Sequence, residues 1–222
     1  MECRVECMRR VKGALLAAML ATAILPGCKI VRTPTAEEQA AETAKAAFNP
    51  ADKVDAIWQS QAVPSIGKRA GDFKQVLSLI ASNPDDASAK FGHREKEGNA
   101  PWTYVVKFEG KIVAADTQSR AATIDVDIDG DAKADVRVQI GPALRGTALR
   151  DSLDFVNFNE FKNQIEWAQF GKAFNEKVNA TLLQALPRDG LTGKTVKVTG
   201  AFATPPSGQL PLVTPATITV GQ

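Results

Sequence analysis

The stretch WTYVVKFEGKIVA, residues 102–114, decides the fold of this chain. Apolar side chains recur there at every second position, at Trp102, Tyr104, Val106 and Phe108. Such alternation is typical of a strand that buries one face. Gly110 lies inside the run, which indicates a bulge or a sharp bend rather than the end of the strand. We therefore expect one long, bent strand.

The segments that follow predict a hairpin, a long helix and two further strands. Residues 122–128 and 136–140 alternate apolar with polar side chains on either side of a tight turn. Apolar residues at helical spacing predict a helix at about 160–186, and the last strands are expected at 195–202 and 210–220. This order is that of an OB-fold, a five-stranded Greek-key barrel with a long helix between strands 3 and 4. The expected fold class is therefore α+β.

The first 28 residues predict a lipoprotein export signal. An apolar run of 12 residues, Ala14 to Leu25, follows four basic residues and is shorter than the roughly 20 that span a bilayer. Leu25-Pro26-Gly27-Cys28 resembles a bacterial lipobox, so we expect cleavage before Cys28 and acylation of this cysteine. An ordinary secreted protein and an uncleaved anchor are the alternatives. We expect a periplasmic protein, attached to the inner or the outer membrane by its N-terminal lipid.

A small helical section precedes the barrel. A capping box at residues 35–38 begins its first helix, and two further apolar stripes at helical spacing follow. The predicted organisation has four parts: a signal peptide at 1–27, a lipid-anchored tether at 28–35, a helical N-terminal section at 36–98 and an OB-like barrel domain at 99–222.

The charge of the chain argues against a nucleic-acid-binding protein, and its cysteine content argues against a disulfide-stabilised one. The chain has 27 basic and 25 acidic residues, and removal of the signal takes four and two of these, so the mature protein has no net charge. A neutral, exported protein lacks the basic surface that nucleic acid requires. Cys3 and Cys7 leave with the signal, so the mature chain cannot form an intramolecular disulfide.

The densest group of candidate binding residues lies between the third strand and the long helix. Arg145, Thr147 and Arg150 follow a Gly-Pro break there, and Arg120 lies in the turn before the second strand. Guanidinium groups near a turn can bind a carboxylate or a phosphate. The structural alternative is that these arginines pair with nearby carboxylates and pin the loop to the barrel. Those carboxylates are Asp116, Asp151 and Asp154.

Asn163 and Gln164 are further candidates, because helical spacing places both amides on or beside the apolar stripe of the long helix. A buried amide needs hydrogen-bond partners. We expect these partners to be backbone groups of the loop at 141–151, unless the two amides line a pocket and bind the hydroxyl groups of a ligand.

Four aspartates surround the hairpin turn: Asp127, Asp129, Asp131 and Asp135. Alternate carboxylates in a tight turn can hold calcium, which is the one cofactor that the sequence suggests. The pattern departs from an EF-hand, because Ala132 takes the glycine position and the flanks are strands. A solvated turn is the preferred interpretation.

His93, the single histidine, is expected in an exposed loop, because its neighbours are charged residues and glycines. The sequence has no nucleophile elbow, zinc-binding spacing, P-loop or dinucleotide-binding glycine pattern. We therefore expect a protein that is not an enzyme.

Several segments between Gly110 and Phe174 are distinctive: GKIVAADT at 110–117, SR at 119–120, QIGP at 139–142, RGTALRD at 145–151, Phe158, and NQI at 163–165. Together with the helical section at 48–91 they resemble a family of predicted bacterial periplasmic lipoproteins built on a domain of unknown function, DUF2291. Members are often encoded beside sugar ABC-transporter components, so the resemblance implies a role near solute uptake and supplies no catalytic residue. Members often have Asp-Gly where this chain has Asp131-Ala132, which disfavours a metal site.

Two functions of different class follow. The first is a lipid-anchored binding or accessory protein of a sugar or small-solute ABC uptake system, which predicts a concave pocket with unpaired donors near the candidate arginines. The second is a structural or assembly factor without a small ligand, which predicts an exposed apolar patch on the N-terminal helices. A glycan hydrolase, a third alternative, needs two carboxyl groups about 5–10 Å apart in one cleft. We favour the first, with the membrane and transporter components as partners.

Overall fold

A computed structural model describes Thr35, residues 48–95 and residues 100–221. The predicted export signal, Cys28 and the first predicted helix lie outside these residues. The helices are α1 (Pro50–Ile57), α2 (Val63–Arg69), α3 (Phe73–Ser82), α4 (Pro84–Phe91), α5 (Ala148–Asp151) and α6 (Gln164–Val178). The strands are β1 (Gly71–Asp72), β2 (Gly92–His93), β3 (Thr103–Asp116), β4 (Thr123–Asp127), β5 (Val136–Gln139), β6 (Thr195–Ala203) and β7 (Leu212–Val220). None of the helices in the described ranges has both the length and the apolar character that crossing a bilayer requires.

Strand β3 closes the barrel, because it pairs with a different neighbour at each end. Residues Thr103 to Lys111 pair antiparallel with β6, and residues Lys111 to Asp116 pair antiparallel with β4. The circuit continues from β4 to β5 and from β6 to β7 by antiparallel pairing, and β5 joins β7 by parallel pairing. The long helix α6 lies between the third and fourth of these five strands in the chain. The predicted α+β fold with an OB-like barrel is therefore confirmed.

Gly110 allows β4 to lie close against the middle of β3. A Cβ atom at this position would overlap the backbone carbonyl oxygen of Asp127 and would come within 2.7 Å of the Val126 side chain. A residue without a side chain is what such a close approach requires. The irregularity predicted for this region falls slightly later, where the register of the two strands shifts between Ile112 and Ala114.

Two hydrophobic clusters hold the structure together. The first fills the barrel with apolar side chains from all five strands, and Phe73 of α3 packs against it, 5.4 Å from the ring of Phe108. The second joins α1 and α6 to the outside of the barrel, and in it the ring of Trp58 lies 6.0 Å from that of Phe174. The described residues from Phe48 onward form one compact unit. The predicted division of this unit near residue 99 stays a prediction.

A π-helical turn at Trp58–Ala62 joins α1 to α2 without a loop. In this turn the backbone N–H of Val63 donates to the carbonyl of Trp58, five residues earlier. Pro64 follows directly, and in an unbroken α-helix its ring would clash with the carbonyl four residues before it. The wider turn gives that ring room.

Helix α6 is shorter than the helix predicted at 160–186. The side chain of Asn163 accepts hydrogen bonds from the backbone N–H groups of Ile165 and Glu166, at 2.9 and 3.0 Å, and so begins the helix at residue 164. A second π-helical turn, Asn179–Leu183, follows its last residue. The apolar spacing of α6 continues through this π-helical turn, so the spacing did not locate the end of the helix. The start of the helix is set by the Asn163 cap, which the apolar spacing does not show either.

We expect Gly110→Ala to lower the free energy of unfolding by about 1–3 kcal/mol, because the added methyl group overlaps the Asp127 carbonyl. Urea denaturation followed by circular dichroism measures the change. Gly67→Ala is the matched control, since a Cβ at Gly67 meets no other group within 4 Å and should stabilise α2 by about 0.5–1 kcal/mol. Equal effects of the two substitutions would contradict the close approach of β4.

Candidate functional site

The loop that follows β5 is attached to the loop between β3 and β4. The backbone N–H of Gly141 donates to the carbonyl of Ala122 at 3.0 Å, and that of Ala143 donates to the carbonyl of Arg120 at 3.0 Å. A Cβ atom at Gly141 would overlap this Arg120 carbonyl. The Gly-Pro break in the sequence therefore marks the point at which the two loops touch.

Gln139 fixes the backbone of Arg145 in two places. Its side-chain oxygen accepts a hydrogen bond from the Arg145 N–H at 2.7 Å, and its side-chain nitrogen donates to the Arg145 carbonyl at 3.1 Å. The same nitrogen donates to Oγ1 of Thr214 in β7 at 2.8 Å. Gln139 is only 3% exposed, so these bonds satisfy an amide whose burial would otherwise be costly.

The side chain of Arg145 lies in a groove at one end of the barrel. This loop groove consists of two adjoining hollows of about 420 Å³ each, and Arg145, Gln209, Leu210 and Leu212 line both. The further lining residues include Ser119, Thr123, Arg137, Thr147 and Thr204. Arg145 is exposed, and its guanidinium makes no hydrogen bond or ion pair with any residue that the structure describes. A rigidly held backbone thus presents an unpaired cation to the groove.

The other arginine of the loop groove, Arg137, is already engaged. Its Nε and Nη2 atoms donate to the two carboxylate oxygens of Asp125 at 2.6 and 2.8 Å. This hydrogen bond raises the pKa of the Arg137 guanidinium. Arg137 is therefore paired within the sheet, and among the described residues that line the groove Arg145 is the arginine without a carboxylate partner.

Neighbouring residues bind the guanidinium of Arg150. Its Nε and Nη2 atoms donate to Oδ1 of Asp151 at 2.8 and 2.6 Å, and its Nη1 donates to the carbonyl of Trp167 at 2.9 Å. Its guanidinium also lies 3.9 Å from the centre of the Trp167 ring, and Thr147 Oγ1 donates to Oδ2 of Asp151 at 2.6 Å. Gly171 leaves room for this arrangement, since a Cβ there would lie 2.8 Å from Nη1 of Arg150. For Arg150 the geometry fits the alternative of pairing with Asp151.

Arg120, Asn163 and Gln164 lie outside the loop groove. Arg120 is exposed and lines neither hollow, although its carbonyl anchors the neighbouring loop. The predicted burial of the two amides is wrong, because Asn163 caps α6 from the exposed side and Gln164 is exposed in the first turn. Gln164 lines a separate cavity together with His93.

His93 lies in strand β2, so the expected exposed loop is wrong. The residue pairs with Thr103 of β3, and its Nδ1 atom is 2.7 Å from the carbonyl oxygen of Asp151. The ring is half-buried and lines a cavity of about 420 Å³. A strand of two residues has no hydrophobic period of its own, so the sequence gives no signal for it.

Three of the four aspartates in the hairpin turn come together. Carboxylate oxygens of Asp127, Asp129 and Asp135 lie within 4.8 Å of one another. The Asp127 carboxylate accepts hydrogen bonds from the backbone N–H groups of residues 129, 130 and 132, and the Asp135 carboxylate accepts one from Ile128 at 2.7 Å. Backbone donors of the turn therefore already bind these oxygens.

Lys74 of α3 places a positive charge against the same turn. Its Nζ atom lies 2.8 Å from the Asp129 carboxylate, and this hydrogen bond lowers the pKa of Asp129 and raises the pKa of Lys74. Asp131 lies outside the group and accepts a hydrogen bond from the backbone of Lys133 at 2.8 Å. The contacts fit a turn that is held by hydrogen bonds and a lysine, and calcium binding stays a prediction.

Comparison with known proteins supports the fold and identifies a family. A family model described as a predicted periplasmic lipoprotein (DUF2291) matches residues 18–219. A crystal structure of an OB-fold protein from Thermotoga maritima is similar at a TM-score of 0.62 and 16% sequence identity, over 79% of this chain and 99% of that one. At this identity the likeness shows the fold alone. No curated protein is significantly similar to the chain.

We expect Gln139→Leu to lower the free energy of unfolding by about 1–3 kcal/mol, because two part-buried backbone groups of Arg145 and the buried hydroxyl of Thr214 lose their partner. Hydrogen exchange of the Arg145 amide, measured by NMR, should become faster. Gln169→Leu on the exposed side of α6 is the control and should change stability by less than about 0.5 kcal/mol. Unchanged exchange at Arg145 in Gln139→Leu would contradict the role given to Gln139.

We expect Lys74→Met to raise the pKa of the Asp129 carboxyl towards its usual value of about 3.9, because its lysine partner is lost. An NMR titration of the carboxyl carbons measures this pKa. A lowered folded-state pKa stabilises the protein above the usual value, and that contribution disappears as the pH falls through the folded-state pKa. The stability difference between wild type and Lys74→Met should therefore shrink at acidic pH. Lys90→Met, whose lysine pairs with Asp86, should leave Asp129 unchanged.

Proposed function

Because the chain belongs to the DUF2291 family of predicted periplasmic lipoproteins, we propose that it is a lipid-anchored, non-catalytic binding protein for a small solute in the periplasm. Cys28 carries the lipid in this proposal, and the loop groove holds the solute. The solute bears a carboxylate or a phosphate group, since the groove offers a guanidinium. The protein serves as an accessory component of a sugar or small-solute ABC uptake system.

The observation that carries this proposal is the environment of Arg145. Its backbone is held by two hydrogen bonds from buried Gln139, whereas its exposed guanidinium has no partner among the described residues. A cation on a fixed backbone loses less conformational freedom on binding than one on a mobile loop. A guanidinium also matches the two oxygens of a carboxylate or phosphate.

The position of the groove in the barrel gives independent support. In OB-folds, ligands bind at the face of strands 2 and 3 and at the loops that join strands 1 to 2 and 4 to 5. In this chain Ser119 comes from the first of these loops, and Gln209 and Leu210 come from the second. Thr123 and Arg137 come from the corresponding strands, β4 and β5. By analogy of fold, the loop groove therefore lies where OB-folds commonly bind ligands.

The structure gives less support to an assembly factor or a glycan hydrolase than to a binding protein. A structural or assembly factor predicts an exposed apolar patch on the N-terminal helices, but the large exposed apolar residues in the described ranges are Ile165 and Leu210. A glycan hydrolase needs two free carboxyl groups in one cleft. Asp116 and Asp151 line different hollows of the loop groove, and the Asp151 carboxylate is already bonded to Thr147 and Arg150.

The association with an uptake system rests on the resemblance to the family. Attachment through a lipid on Cys28 would hold the groove near a membrane, where transporter components act. The geometry around Arg145 supports the binding of a solute, whereas the structure adds no support for a transporter partner.

We expect glucose 6-phosphate or glucuronate to bind the residue 29–222 protein, and glucose to bind more weakly, because only the first two carry a group for Arg145. Arg145→Gln should weaken binding of the anions by about 10- to 100-fold, the loss expected for a charge-assisted hydrogen bond. Isothermal titration calorimetry measures the affinities, and thermal shift gives a first screen.

Arg120→Gln is the matched control, because it removes the same charge from a neighbouring loop at a residue that does not line the groove. It should leave the affinities for the three probes within about twofold of wild type, because substitution of an exposed residue outside a site usually has a small effect. Absence of binding by every probe, or equal affinities of wild type and Arg145→Gln, would reject the loop groove as the site and favour the assembly factor.

A further inference from the structure

We propose that the cavity beside His93 is a second binding site, which takes a small uncharged molecule with an apolar ring and one O–H or N–H donor. The cavity has a volume of about 420 Å³ and lies between β2, α5 and the start of α6. It shares Pro101 and Asp151 with one hollow of the loop groove, but His93 lines only this cavity and Arg145 lines only the groove. The proposal does not depend on the proposed function.

The hydrogen bond of His93 decides which ring nitrogen is available. Nδ1 lies 2.7 Å from the carbonyl oxygen of Asp151, and a carbonyl oxygen only accepts hydrogen bonds. Nδ1 therefore carries the proton. In the neutral ring Nε2 then has no proton and presents a lone pair, which is a hydrogen-bond acceptor. No described residue donates to this atom in the structure.

Arg69 binds the chain neighbours of both partners of this hydrogen bond. Its Nη1 atom donates to the carbonyl of Ser152 at 2.6 Å, and its Nη2 atom donates to the carbonyl of Gly92 at 3.1 Å. These residues directly adjoin Asp151 and His93 in the chain. The imidazole is therefore held in one orientation before a ligand binds, which lowers the entropic cost of binding.

The charges that the described residues place on the cavity wall are balanced and engaged. Among these residues, two guanidinium groups and two carboxylates contribute to the wall. Arg150 pairs with Asp151 at 2.6 Å, Arg94 lies 4.7 Å from the centre of the Trp102 ring, and Glu95 accepts a hydrogen bond from the Phe158 backbone at 3.3 Å. An ionic ligand would have to compete with these contacts, whereas an uncharged one would not.

Part of the cavity wall is apolar. Val156, Phe158 and Trp167 line it, and the rings of Phe158 and Trp167 meet edge to face at 6.1 Å. Aromatic and aliphatic walls with a few fixed polar groups are the common composition of small-molecule sites. A ring that packs on this wall and donates one hydrogen bond to Nε2 of His93 fits the composition.

The test uses phenol as the probe and anisole as its matched control, because anisole keeps the ring and lacks the O–H donor. The protein contains one histidine, so the ring nitrogens of His93 are the only imidazole signals in its ¹⁵N NMR spectrum, provided that no histidine tag is used. The spectrum of the free protein should show the tautomer with the proton on Nδ1. Phenol should shift the Nε2 signal, and anisole should bind about three- to tenfold more weakly, the loss expected for one hydrogen bond.

His93→Asn is the informative variant. The Asn amide retains an N–H donor for the Asp151 carbonyl and removes the Nε2 acceptor. It should bind phenol about three- to tenfold more weakly than wild type and bind anisole equally well. Arg145→Gln should bind phenol as wild type does, which separates this site from the loop groove. Should Nε2 carry the proton in the free protein, or should phenol leave the Nε2 signal in place, or should His93→Asn bind phenol with full affinity, the proposal is wrong.

Discussion

The structure depends on one strand that serves two neighbours. Strand β3 forms hydrogen bonds with β6 along its first part and with β4 along its last part, so the barrel can close only if β3 turns between them. Gly110 makes this possible, because the Asp127 carbonyl occupies the space where a side chain would lie. The loops at the ends of these strands, at residues 117–122 and 204–211, then meet at one end of the barrel. The loop groove lies between them and is thus a consequence of how the barrel closes.

The arginines of this region differ in role because they differ in burial. Arg150 is 8% exposed, and its donors are used by Asp151, Thr147 and the Trp167 carbonyl, so its charge is compensated inside the protein. Arg145 is exposed, and the described residues hold its backbone but not its guanidinium. A buried cation must be paired to be tolerated, whereas an exposed one keeps its water and can exchange it for a ligand. The same residue type therefore fixes the loop at one position and is open to a partner at another.

The sequence predicts the barrel better than it predicts the site. Alternation over 102–108 and over the hairpin depends only on neighbouring residues, so it predicts the strands and their buried faces directly. Gln139 was missed because its partners are a loop backbone and Thr214, which the fold brings together. Asn163 has the spacing of a stripe residue but precedes the helix, where an amide serves better as a cap. The tautomer of His93 is likewise set by a carbonyl 58 residues away, which no local pattern can reveal.

The π-helical turn at Trp58–Ala62 restricts how the length of this part of the chain can change during evolution. Such a turn is equivalent to one extra residue in an α-helix, and the segment at Trp58–Ala62 ends two residues before Pro64. Loss of a single codon within 58–62 would rotate every later residue of α2 by about 100° around the helix axis. Fully buried Ile66 would then leave the core, and the proline ring would meet the carbonyl that it now avoids. A surface loop generally tolerates the gain or loss of single residues, whereas this helix can change in length only together with its proline and its packing face.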